Sequence, residues 1–69
     1  MITKGKYKHY KGQFYELIDT ARHSETLEHL AVYRALYGDY SLWVRPLDMF
    51  LGELEIGGQI VKRFKLINE

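Results

Sequence analysis

A chain of 69 residues forms a single small domain, and a domain of this size buries only about 60% of the surface that its unfolded chain exposes. The chain has no cysteine, which excludes disulfides and thiolate metal sites, and its formal net charge of +1 favours no class of partner. Apolar runs of a few residues are too short to cross a membrane. We therefore expect one cytoplasmic domain over residues 1–69, with no cofactor and no membrane partner.

The first third of the chain predicts a pair of aromatic-rich strands, YKHY (7–10) and FYELIDTAR (14–22), separated by a turn at residues 11–13. Residues 1–12 contain four lysines and no acid: Lys4, Lys6, Lys8 and Lys11. These lysines could discourage pairing at the edge of a terminal strand. They could also form a patch for phosphate or for an acidic peptide.

Residues 23–28 (HSETLE) are polar and predict a loop. His23, Ser24 and Glu25 place an imidazole, a hydroxyl and a carboxylate side by side. Neighbouring residues of a strand point to opposite faces, however, and a nucleophile needs its base within hydrogen-bond reach. We expect side chains that bond backbone groups, and predict no catalytic residue. The separation of His23 from His29 does not suit a metal site either, so none is predicted.

Residues 24–37 are compatible with a helix or a strand. Ser24 could cap a helix that ends at Gly38, with Leu27, Leu30 and Ala31 at helical spacing. The alternation of residues 32, 34 and 36 with residues 33, 35 and 37 favours a strand instead. Periodicity alone does not decide between them.

Residues 31–46 predict a hairpin that turns at Gly38-Asp39 and contains the only tryptophan. Leu42 and Val44 share one face of its second strand, and Trp43 and Arg45 share the other. If Leu42 and Val44 pack in the core, Trp43 lies outside beside Arg45 and needs a covering element or a partner.

The last third predicts one short helical turn near residues 46–51 and then a hairpin. Pro46 suits the first turn of a helix, and Gly57-Gly58 is a strong hairpin signal between ELEI (53–56) and QIVKRFKLI (59–67). Leu54 and Ile56 are expected to face the core. A second basic cluster follows at Lys62, Arg63 and Lys65. Five or six short strands in all indicate a small barrel or sandwich.

Four segments together resemble the bacterial family known as domain of unknown function 1653: YKHYKG (7–12), ARHSETLE (21–28), VYRALYGD (32–39) and WVRPLDMF (43–50). The resemblance implies an all-β fold, a small SH3-like β-barrel of about five strands, and so weighs against a helix over residues 24–37. It implies no reaction and no site residues.

Two functions remain open. The first is a small non-catalytic module that binds a protein or peptide through an aromatic and arginine surface, although many of these rings could instead be core. Its candidate residues are Arg22, His23, Tyr33, Arg34, Tyr37, Trp43 and Arg45. The alternative is a nucleic-acid-binding module that contacts phosphates through Lys4, Lys6, Lys8, Lys11, Lys62, Arg63 and Lys65. The oligomeric state is left open.

Overall fold

Antiparallel strands make up most of the computed structural model, which describes residues 2–67. The elements of this part of the chain are β1 (Gly5–His9), β2 (Phe14–Arg22), β3 (His29–Ala35), β4 (Leu42–Pro46), α1 (Leu47–Phe50), β5 (Glu53–Ile56), β6 (Gln59–Lys62) and β7 (Phe64–Leu66). The all-β prediction and the short helical turn are both confirmed. Within residues 2–67, no helix is long and apolar enough to cross a membrane.

The strands form two sheets. Five of them make one antiparallel sheet in the order β4-β3-β2-β1-β7, and β5 and β6 pair with each other as a separate hairpin. The segment that was ambiguous between helix and strand turns at residues 24–26 and enters β3 at His29. The strand interpretation is therefore right only for its second half.

Local signals explain the hairpins and one irregularity in the sheet. Gly57 and Gly58 both adopt positive φ, 58° and 81°, which a two-residue turn between twisted strands requires and glycine adopts without a steric penalty. The pairing of β2 with β3 shifts register between Leu17 and Asp19. Such a bulge bends its strand and increases the local twist.

The core lies on one face of the five-stranded sheet, here called the inner face. Along β3 the inner positions are Ala31, Tyr33 and Ala35, all buried, and they alternate with partly exposed residues on the outer face. Ala31 and Tyr33 join a cluster that also contains Tyr7, Leu17, Phe50 and Phe64. Helix α1 contributes Phe50, which is completely buried.

The structure answers one question about facing that the sequence left open, and it corrects one expectation. Tyr33 lies directly opposite Trp43 in the pairing of β3 with β4, so Trp43 is on the inner face and its neighbours Leu42 and Val44 are on the outer face. Leu42 and Val44 thus do not pack in the core. Ile56 is 47% exposed rather than core-facing, whereas Leu54 is half-buried as expected.

Candidate functional site

The aromatic and arginine residues predicted as one surface fall into three places. Tyr33, Trp43 and Arg45 share the inner face. Arg34 lies on the outer face opposite Glu16, because its neighbours Tyr33 and Ala35 are the buried ones. Arg22 is at the far end of β2, seven residues and roughly 23 Å along the strand from Tyr15. The predicted set therefore contains one inner-face group and two separate arginines.

Three tyrosines and an arginine make a connected group on the inner face, which we call the tyrosine–arginine cluster: Tyr15, Tyr33, Tyr37 and Arg45. The hydroxyls of Tyr15 and Tyr37 are 2.7 Å apart. The Arg45 Nε–H donates to the Tyr33 hydroxyl at 3.4 Å. The ring centroids of Tyr15 and Tyr33 are 5.5 Å apart in an edge-to-face arrangement. Tyr33 is a core residue, whereas Tyr37 is exposed and Arg45 is half-buried.

The phenol of Tyr15 is strongly disposed to stay protonated. Burial, followed by the hydrogen bond to Tyr37, raises the pKa of Tyr15 to about 12. The two hydroxyls carry two protons, and the hydrogen bond between their oxygens uses only one of them. At neutral pH this pair therefore retains a donor for a further acceptor.

Two residues outside the predicted aromatic and arginine surface border the cluster. The His9 ring centroid lies 6.0 Å from that of Tyr15 and 4.9 Å from that of Phe64. Burial, and then the positive charges of Arg45, Arg63 and Lys11, lower the pKa of His9. Arg63 stands at the bend before β7, where its amide donates to Gly52 O and its carbonyl accepts from the Tyr10 amide.

Sequence reasoning missed His9 and Tyr15 and assigned Arg63 only to a basic patch. Tyr15 stands two residues before the buried Leu17, and His9 stands two residues after the buried Tyr7. The period-2 alternation of β1 and β2 could have placed both on the inner face. The contact of His9 with Phe64 depends on the pairing of β1 with β7, for which no local signal exists.

Arg34, Arg22 and His23 have local structural contacts. The Arg34 guanidinium donates to Tyr40 O at 2.8 Å and so braces the β3–β4 turn. Arg22 donates to Leu27 O, and His23 Nδ1 accepts from the amides of Glu25 and Thr26. These bonds organise the loop at residues 23–28. No group of three metal-ligating side chains occurs among residues 2–67.

The two basic segments meet on the outer face. Lys8 of β1 lies directly opposite Lys65 of β7. Together with Lys62 they line a cleft of about 730 Å³ between this edge of the sheet and the β5–β6 hairpin. We call this the lysine cleft; its wall also includes Tyr10, Ile56 and Ile60.

The remaining lysines have individual contacts. Lys4 pairs with Asp19 at 3.7 Å, where both side chains are well exposed. Lys6 Nζ lies 4.7 Å from the centroid of Phe14, and Lys11 Nζ lies 5.9 Å from that of Tyr10. β1 is an internal strand between β2 and β7. The interpretation of its lysines as protection of a terminal edge is therefore wrong.

The opposite edge of the sheet is β4, which pairs only with β3 in the described part of the chain. Three consecutive apolar side chains along it are more than half exposed: Leu42 (52%), Trp43 (53%) and Val44 (59%). An edge strand presents unpaired main-chain groups, and lysine, proline or a bulge commonly protects it. Here such protection is confined to the end of β4, where Arg45 places a charge on the inner face and Pro46 follows it, while residues 42–44 offer none.

Comparison with known proteins gives a family for this fold. The family model described as "Protein of unknown function (DUF1653)" matches residues 5–66. The chain belongs to the DUF1653 family. A crystal structure of a DUF1653 protein from Bordetella bronchiseptica is similar, with a TM-score of 0.88 and 31% identity over 96% of this chain and 87% of that one.

No curated protein matches the chain. The description of the DUF1653 family names no activity, so it assigns no role to any residue of the tyrosine–arginine cluster, the lysine cleft or the β4 edge. The chemistry of this cluster, this cleft and this edge is therefore the basis for a proposed function.

Proposed function

We propose that this protein is a non-catalytic binding module of the bacterial cytoplasm that takes up an extended peptide segment of another protein along β4. The observation that carries this proposal is the free β4 edge with its three exposed apolar side chains. We further propose that the sheet and hairpin form an SH3-like barrel, a fold whose members include binders of extended peptides. That support is an analogy of fold, which does not by itself define function.

Strand addition suits the chemistry of β4. A peptide that pairs with this edge gains main-chain hydrogen bonds, and its side chains alternate between the two faces of the sheet. On the outer face they would cover Leu42 and Val44, and on the inner face they would contact Trp43. Apolar residues of the peptide are therefore expected at successive positions opposite β4.

Charge indicates a further property of the peptide. Arg45 stands beside Trp43 on the inner face, and no carboxylate lies within 4 Å of its guanidinium in residues 2–67. Arginine pairs readily with a carboxylate through its planar fork of donors. We expect the peptide to carry an acidic residue near its inner-face contact with Trp43.

The test starts from a displayed library of random linear peptides selected on the wild-type protein. Trp43 is the only tryptophan and is half exposed, so its emission reports binding directly. Val44→Lys, which adds a charge to the edge without removing a buried group, should weaken the selected peptides about tenfold or more. Ile60→Lys, at an exposed apolar position on β6, is the matched control and should leave binding unchanged.

Two results would contradict the proposal. One is equal loss in both variants, which would place the peptides elsewhere. The other is a dimer in light scattering that Val44→Lys converts to monomer while no peptide is selected, since the occupant of the edge would then be a second copy of the chain.

The lysine cleft supports nucleic-acid binding as a second candidate function. The specific observation in its favour is that Lys8 and Lys65 are cross-strand neighbours and share the cleft with Lys62. Like charges placed directly opposite destabilise a sheet, and a phosphate backbone would neutralise them. Tyr10 in the cleft wall offers a ring on which a base could stack.

Salt dependence tests this candidate. If single-stranded DNA binds, the slope of log K against log salt should fall by about 1.4 in the Lys8→Gln, Lys65→Gln double variant, because each phosphate contact contributes about 0.7. Arg22→Gln, Arg34→Gln removes the same charge away from the cleft and should leave the slope nearly unchanged. Absence of binding at low salt would exclude the candidate.

A further inference from the structure

Hydrogen-bond donors and positive charge converge beside the tyrosine–arginine cluster without an acid to balance them. Arg45 reaches the Tyr33 hydroxyl, the Tyr15 ring packs against both Tyr33 and His9, and Arg63 immediately precedes Phe64, against which His9 packs. Within residues 2–67, neither Arg45 nor Arg63 has a carboxylate within 4 Å.

The available polar groups here are donors. The Lys11 amide donates to His9 Nδ1 at 3.2 Å, so a neutral His9 carries its proton on Nε2 and can donate from there. The Tyr15–Tyr37 pair retains one hydroxyl proton beyond the bond between the two oxygens. Arginine has donors only. Such a set suits an acceptor-only ligand group.

The electrostatic field points the same way. Burial is the first cause of the lowered pKa of His9, and the positive charges of Arg45, Arg63 and Lys11 lower this pKa further. A potential that repels a proton attracts an anion. The half-buried positions of His9, Arg45 and Arg63 strengthen this attraction, because partly buried charges are screened less by salt than exposed ones.

We propose that Arg45, the Nε2–H of His9 and the Tyr15–Tyr37 hydroxyl pair form a binding site for an oxyanion, and that Arg63 adds positive charge near it. This inference rests on the proposed function, because the oxyanion is taken to belong to the peptide bound along β4. A carboxylate and a phosphate share the required chemistry, and the probes below distinguish them.

The experiment follows the pKa of His9 by proton NMR in the wild-type protein, with inorganic phosphate or acetate compared against chloride at equal ionic strength. A bound oxyanion should raise the pKa of His9 by about one unit, since an opposite charge nearby favours the protonated imidazole. His23 and His29 are internal controls and should not respond. A response to acetate alone assigns the site to carboxylates, and a response to phosphate alone assigns it to phosphates.

Arg45→Gln should abolish the anion-dependent shift of His9, and Arg63→Gln, which removes a nearby charge, should reduce it. Arg22→Gln, which removes an arginine remote from the site, should retain it. An unchanged pKa of His9 with both anions, or a shift that survives both substitutions, would overturn the inference.

The outcome is separable from that of the proposed function. Anion binding that persists in Val44→Lys while peptide binding is lost supports both proposals. Peptides that bind along β4 without any anion response at His9 leave the peptide function standing and refute the oxyanion site.

Discussion

Phe50 is the residue on which the core packing converges. Its ring stacks on that of Phe64, with centroids 4.2 Å apart and planes 9° apart, and also lies near Tyr7 at 5.2 Å and Tyr33 at 5.3 Å. These partners come from β7, β1 and β3. One side chain from a four-residue helix therefore joins three strands that are distant in sequence.

We expect Phe50→Ala to destabilise the protein by about 3–5 kcal/mol, because it removes a completely buried ring and leaves a cavity among aromatic side chains. Urea denaturation followed by circular dichroism measures the change. Met49→Ala alters an exposed side chain of the same helix and should change stability by less than about 0.5 kcal/mol. A similar small effect for Phe50→Ala would contradict the packing described above.

For single residues, the sequence indicated which aromatic and arginine side chains could bind a partner, but it did not indicate which of them are buried. Tyr33 and Trp43 were proposed together, yet one is 5% exposed and the other is half exposed. They are direct cross-strand neighbours on the same face, so their difference comes from β4 being the edge strand. The order of the strands in the sheet, which decides this difference in exposure, cannot be predicted from the types of residue present.

Among the elements, the loop at residues 23–28 contains a strained residue. Leu27 adopts φ 63°, and its amide donates to His23 O at 2.9 Å while the His23 amide donates to Glu28 O at 2.8 Å. A left-handed conformation costs a leucine about 1–2 kcal/mol. The loop retains it because these bonds close the connection between β2 and β3.

Leu27→Gly should therefore stabilise the protein by up to about 1 kcal/mol, after the greater freedom of glycine in the unfolded chain is subtracted. The midpoint of thermal or urea unfolding reports the change. Glu25→Gly, in the same loop and without a positive φ, should instead be destabilising. If both substitutions destabilise equally, the backbone of Leu27 is not strained.

Elements defined by local turn chemistry could be predicted, and their pairing partners could not. Gly57-Gly58 marked the β5–β6 hairpin, and Pro46 marked the start of α1. The separation of that hairpin into its own sheet, and the bulge between Leu17 and Asp19, have no such signal. They arise from packing across the whole sheet, which a local window of sequence does not report.

For the whole molecule, three shifted groups predict a stability that decreases at both extremes of pH: His9 on the acidic side, and Tyr15 together with Tyr7, whose pKa burial also raises, on the alkaline side. The pKa of His9 is lowered in the folded state, so below pH about 6.5 the unfolded chain binds more protons and stability falls as pH decreases toward the folded pKa. The pKa of Tyr15 is raised to about 12, so between pH 10 and about 12 the unfolded chain loses a proton that the folded protein keeps, and stability falls as pH increases.

Urea midpoints measured across pH test this expectation. His9→Gln should flatten the acidic decline relative to wild type, and Tyr15→Phe should flatten the alkaline one. His29→Gln, at an exposed position, is the control for the loss of an imidazole. Parallel curves for wild type and His9→Gln below pH 6.5 would contradict the burial and the nearby positive charges that lower the pKa of His9.

The pairing of β1 with β7 has a consequence for synthesis of the protein. Phe64 stacks on Phe50 and packs beside His9. The packing of the core is therefore incomplete until the segment that follows Lys62 has been added to the chain. A nascent chain ending at β6 would carry Tyr33 and Phe50 without Phe64, the ring against which both pack. Contacts between such distant segments form late, because the entropy of loop closure precedes any gain from them. We therefore expect folding on the ribosome to wait until β7 has been synthesised, and the nascent chain to expose its aromatic face to chaperones and to other chains until then.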